Sequence, residues 1–70
     1  MNVPKYTYDD KVRFRFPRKD AIEVHTGIVI VVDAYGTMEQ SEEPSYDIRI
    51  PEKHAIYKHV RESWVIGKEE

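Results

Sequence analysis

The sequence predicts an all-β fold, a small barrel or sandwich of five short strands, and three observations carry that prediction. Apolar and polar residues alternate with a period of two from Lys11 to Phe16 and again from Tyr46 to Ile50, the pattern of half-buried strands. The longest apolar run, Ile28 to Val32, is almost purely β-branched and too short for a core helix. No segment is a convincing amphipathic helix, and closing the sheet is how so short a chain avoids two raw edges.

Each element follows from local pattern. In the first strand Val12, Phe14 and Phe16 share one face and Lys11, Arg13 and Arg15 the other. Pro17 ends it, because proline supplies no ladder donor, and a charged turn runs to Asp20. The second strand spans Ile22 to Tyr35, with Gly27 as the expected bulge or bend. Strict alternation there turns Ile28, Ile30 and Val32 inward and leaves Val29 and Val31 outward. Something must then cover that valine pair: the N-terminal segment with Val3, Tyr6 and Tyr8, a second copy of the chain, or a partner.

Gly36 to Ser45 has the composition of an exposed acidic loop. The third strand turns Tyr46, Ile48 and Ile50 inward and stops at Pro51. A fourth, Ile56 to Arg61, sets Ile56 and Val60 on one face and Tyr57, His59 and Arg61 on the other. A single 3-10 turn fits the polar interruption before the last strand, Trp64-Val65-Ile66. The expected core is Val12, Phe14, Ile28, Ile30, Ile48, Val60 and Trp64. Trp64 is read as core because its indole buries more apolar area than any other side chain here.

The segments Asp10-Lys-Val-Arg-Phe, Gly27-Ile-Val, Tyr46-Asp-Ile and Val60-x-Glu-x-Trp-Val resemble SH3-like barrels of the bacterial Tudor or KOW type, over Tyr8 to Ile66. The resemblance implies a five-stranded SH3-like barrel with at most a short 3-10 turn before the last strand. It rests on apolar spacing and turn placement and brings no catalytic signature. The chain departs from the KOW pattern in its longer acidic loop and in lacking a glycine-rich RNA-contact turn.

Size and composition narrow the function. Seventy residues make one domain over 1–70, with its core in about 8–66 and no room for a second. The absence of cysteine excludes disulfides and thiolate zinc sites. Eleven Lys and Arg against thirteen Asp and Glu announce neither a nucleic-acid nor an anionic-membrane partner, so local distribution decides. The start Met-Asn-Val-Pro-Lys-Tyr has no apolar signal core, which predicts a cytoplasmic location and no membrane association.

Chemistry is sparse. His25, His54 and His59 have no ligand spacing, so no metal is expected. Glu42 and Glu43 are neighbours on a loop that point apart, Ser41, Ser45 and Ser63 have no adjacent base, and three isolated glycines cannot cradle a phosphate. The expectation is no enzyme, no cofactor and no small-molecule substrate. What remains is a non-catalytic binding or adaptor domain. Its expected partner is a protein, met through an exposed sheet face around Val29 and Val31 or through the acidic loop from Gly36 to Ser45.

The alternative is a nucleic-acid-binding module. Lys11, Arg13 and Arg15 form a basic stripe, continued by Arg18 and Lys19. Tyr57 and Arg61 would add stacking and charge if the fourth strand turned them the same way. The plainer reading is a solvated strand face neutralised by Asp9, Asp10, Asp47 and Glu62. A third possibility is a purely structural subunit of a larger assembly.

Overall fold

The computed structural model describes residues 3–34 and 43–69. Its strands are β1 (Lys11–Pro17), β2 (Ile22–Asp33), β3 (Ser45–Ile50), β4 (Ala55–Arg61) and β5 (Val65–Lys68). A 3-10 turn at Pro51–Lys53 separates β3 from β4, and a second at Glu62–Trp64 precedes β5. Ladders join β1 to β2 and β5, and β3 to β2 and β4, all antiparallel.

The sheet is open, which corrects the expected SH3-like barrel. Its order is β4-β3-β2-β1-β5, so β4 and β5 are its two edges and no ladder closes them. The turn Glu62–Trp64 carries the chain across to the far side of β1, where β5 pairs through Val12↔Lys68, Arg13↔Gly67 and Phe14↔Val65. With four residues, one of them the unpaired Ile66, β5 is too short and too irregular to hold a second ladder.

Two further bulges reset which side chains face inward. In β2 the register runs Val29↔Ile48 and then Val31↔Asp47, leaving Ile30 as the extra residue. Val29 therefore lies in the core at 0% exposure, Ile28 and Ile30 are only half-buried, and Val31 is exposed. This overturns the expected outward Val29 and inward Ile28 and Ile30. In β4 the register runs Ile48↔Tyr57 and then Tyr46↔Val60, so Lys58 and His59 together oppose Asp47. The bulge puts His59 on left-handed backbone, φ 59°, and its amide donates to Asp47 Oδ1 at 3.0 Å. Tyr57 and Val60 thus share the inner face and Ile56 faces out, the reverse of the expected grouping.

Gly27 is not a bulge; it pairs regularly with Val12. A Cβ there would lie 2.6 Å from the Arg49 carbonyl oxygen and 2.6 Å from Ile48 Cγ2, so glycine is what lets β3 approach β2 this closely.

The core consists of Val12, Phe14, Val29, Tyr46, Ile48, Ile50 and Val60, with Tyr6, Phe16, Val32, Tyr57, Trp64 and Val65 packed against it. Trp64 is half-buried at the rim. The N-terminal segment closes over the β2 bulge: the Asp9 amide donates to the Val29 carbonyl and the Val29 amide to the Asp10 carbonyl, both at 2.9 Å. Tyr6 stacks edge-on against Tyr46, 5.8 Å between centroids. The chain itself therefore covers Val29. Most of the expected acidic loop, 36–42, lies outside the described residues. Its end is anchored, because Glu43 accepts from the Ser63 amide at 2.8 Å while Pro44 and Ser45 are buried.

Candidate functional site

The two faces of this sheet have different chemistry. On the inner face, side chains of β1 and β4 meet although two strands lie between them in the sheet. The Tyr57 ring packs edge-on against Phe14 and Phe16, at 5.6 and 4.9 Å, and Trp64 packs against Phe16 at 5.5 Å. Polar groups tie off this rim. Glu23 Oε1 accepts from the Tyr57 hydroxyl at 2.8 Å and lies 3.0 Å from His25 Nε2. Glu23 Oε2 accepts from Arg18 Nε at 2.9 Å, and the Arg18 guanidinium sits 4.9 Å from the Phe16 centroid.

These contacts set the protonation states. Hydrogen bonds from His25, then Arg18, then Tyr57 hold the Glu23 carboxyl down to about 2. Burial, then the bond its hydroxyl donates to the Glu23 carboxylate, pushes Tyr57 up. Burial and Glu62 do the same to Tyr46, whose hydroxyl donates to Glu62 Oε1 at 2.7 Å. Glu23 is therefore a poor general base at neutral pH and Tyr57 a poor nucleophile, so this hydrogen-bonded group is chemically suited to holding β1, β2 and β4 together.

The outer face carries the basic stripe. Lys11, Arg13 and Arg15 stand on β1 as expected, opposite Ile28, Thr26 and Val24 of β2. Arg49 of β3 joins them across Ile28. None of these four cations has a carboxylate within 4.0 Å among the described residues. Three of the four acids offered by the sequence as neutralisers, Asp10, Asp47 and Glu62, are engaged elsewhere. Asp10 pairs with Lys68 at 3.5 Å and accepts from the Thr7 amide. Asp47 holds the His59 amide. Glu62 accepts from the Lys5 amide and the Tyr46 hydroxyl.

Between the cations lies uncovered aliphatic surface. Ile22 is 63% exposed, Val24 45% and Ile56 50%, and Val31 continues the stripe beyond the bulge. A cleft of about 450 Å³ is lined by Lys11, Thr26, Gly27, Ile28, Pro51, Glu52 and Glu69.

Two expected nucleic-acid contacts do not join this face. Tyr57 turns inward because of the β4 bulge, and Arg61 is half-buried with its guanidinium 5.5 Å over the Trp64 ring. Of the expected protein contacts, Val31 is on the outer face and Val29 is in the core. Ile22, Val24, Arg49 and Ile56 were not singled out from sequence. For Ile22 and Val24 the signal is the β2 pattern, which places apolar residues at both parities, more than one buried face can absorb; Arg49 and Ile56 lie in β3 and β4 and carry no such signal.

Among the described residues no group of three or more His, Cys, Asp or Glu side chains is placed to hold a metal ion. No described helix is long and apolar enough to cross a membrane. No family model matches the chain, and no curated protein or solved structure matches it.

Proposed function

We propose that this chain is a non-catalytic binding domain that engages a protein partner on the outer face of its sheet. The observation that carries the reading is the exposed pair Ile22 and Val24 lying beside Arg13 and Arg15, cations with no carboxylate within 4.0 Å among the described residues. A single domain gains nothing in stability from leaving two large aliphatic side chains in water beside each other on one strand, and such patches mark interaction sites. The complementary partner surface is apolar at its centre and acidic at its flanks. The basic stripe also suits phosphate. Base stacking, however, needs aromatic rings, and the strand residues of this face include no Phe, Tyr or Trp, while its aliphatic side chains gain little from a phosphate backbone.

The test is differential capture from lysate, with and without nuclease, on the wild-type domain and on Val24→Asp and Arg13→Glu/Arg15→Glu. The reading expects a protein that survives nuclease treatment and is lost on both variants. Capture abolished by nuclease, with a steep fall on added salt, would assign the face to nucleic acid instead. Capture equal on all three proteins would remove the outer face as a binding site.

A further inference from the structure

We propose that the N-terminal half of β2 is an edge at which two copies of this chain join, strand to strand, in a two-fold dimer. The ladder between β2 and β3 begins only at Ile28↔Arg49, because the turn Pro51–Lys53 carries the chain away after Ile50. Ile22–Gly27 is therefore paired with β1 alone, and the sheet has a stretch of open edge in addition to β4 and β5.

Two bonds fix which backbone groups that edge presents. The Arg18 amide donates to the Ala21 carbonyl at 2.7 Å, and the Val29 amide donates to the Asp10 carbonyl at 2.9 Å. Ala21 and Val29 have the same parity, and the β1–β2 register between them is unbroken, so the odd-numbered residues turn their backbone groups toward β1. In an antiparallel ladder the alternate residues turn theirs the other way. At Ile28 that side is occupied by β3. At Ile22, Val24 and Thr26 it is not, and no described residue bonds to these amides and carbonyls.

The two outer edges carry features that discourage strand pairing. β4 is broken by the Lys58–His59 bulge, and β5 is four residues long with Lys68 at its end. The stretch Ile22 to Thr26 has no lysine, proline or bulge, and both of its apolar residues are β-branched.

Its own sequence selects a second copy as the occupant. The three free residues share one parity, so an antiparallel copy centred on Val24 pairs Ile22↔Thr26, Val24↔Val24 and Thr26↔Ile22, each pair exchanging two backbone hydrogen bonds. The same register sets Glu23 of each molecule opposite His25 of the other on the inner face. A slip of the centre to Glu23 or His25 would put two carboxylates or two imidazoles face to face and leave one free residue of each copy unpaired. The basic stripe does not oppose this pairing. The two β1 strands would lie three strand spacings apart, about 14 Å at ~4.8 Å each, beyond the screening length of about 8 Å in physiological salt.

The test follows amide hydrogen exchange and sedimentation mass of the wild-type chain from micromolar to millimolar concentration. In dilute solution the amides of Val24 and Thr26 should exchange fast and those of Glu23 and His25 slowly. Raising the concentration should double the mass and slow Val24 and Thr26. Val24→Lys and Val24→Glu, both at an exposed position, should each weaken association by about tenfold or more, since like charges then meet on the two-fold axis. An equimolar mixture of the two variants should restore it. A wild-type chain that stays monomeric at millimolar concentration, with these amides fast, overturns the second copy and leaves the edge to an extended segment of another protein. Slow exchange of Val24 and Thr26 in the dilute monomer would show that the chain covers its own edge, which also overturns the proposal. A dimer that protects β4 or β5 instead, or that both substitutions leave intact, puts the interface elsewhere. Failure of the mixture to recover overturns the register centred on Val24. Should a substitution perturb folding, the wild-type exchange profile decides alone.

Discussion

The inner and outer faces of this sheet come from the same strands, residue by residue, yet they are finished differently. Inside, every aromatic ring of the rim has a ring or a guanidinium against it, and the Glu23 carboxylate is held by Arg18, His25 and Tyr57. Outside, Arg13, Arg15 and Arg49 have no ion-pair partner among the described residues, and Ile22 and Val24 are exposed, at 63% and 45%. Under the proposed reading, the difference separates stability from binding. Substitutions inward should change the fold, and substitutions outward should change only what the domain holds.

The largest effect belongs to Phe14, fully buried between Tyr57 and His25. Phe14→Ala should cost about 3–5 kcal/mol through lost burial and the cavity left behind, most of what a domain this small has. Urea denaturation measures it, and an unchanged midpoint would place Phe14 outside the core. Gly27→Ala comes next. Its methyl would meet the Arg49 carbonyl and Ile48 at 2.6 Å, and forcing β2 and β3 apart should cost about 1–3 kcal/mol. A neutral result would mean the two strands are less closely apposed.

A pH experiment sharpens the contrast. The folded Glu23 carboxyl sits at about 2 against an ordinary 4.5, so between those values the unfolded chain binds more protons than the fold. Its contribution is present above pH 4.5 and is lost as pH falls from there toward 2. Glu23→Gln should therefore be less stable than wild type at pH 7, and the gap should narrow at pH 3. A gap that is constant with pH would mean the carboxylate's charge contributes nothing. The smallest expected shift is a gain: His59→Gly removes a side chain from left-handed backbone and should be neutral or stabilising by up to about 1 kcal/mol, set against glycine's greater freedom in the unfolded chain. A clear loss would show that the His59 side chain contributes to the fold.

Much of this was legible in the sequence, for a physical reason. Period-two alternation placed Val12, Phe14, Ile48 and Val60 inward and Lys11, Arg13 and Arg15 outward, and each stands there. What alternation could not show is where it skips. The bulges at Ile30 and at Lys58–His59 are set by long-range partners, the Asp9–Asp10 backbone crossing Val29 and the Asp47 carboxylate capping His59, and neither leaves a local signature. Each skip reverses every parity beyond it. That is why Val29 moved from candidate contact to core and Tyr57 from candidate contact to the inner rim. Closure failed for a related reason: local pattern counts strands but does not say which edge a four-residue last strand will join.

The central claim is that the outer face is uncovered and takes no part in holding the fold, and the double substitution Ile22→Thr/Val24→Thr tests it most directly. Threonine keeps the β-branched shape while removing apolar surface. If nothing in the chain covers these two residues, the urea midpoint should stay within about 0.5 kcal/mol of wild type, as for surface changes generally, with the slope unchanged. A loss of about 2 kcal/mol or more, the scale of two buried aliphatic side chains made polar, would show that the chain packs against its own outer face, and the proposed binding surface would not exist.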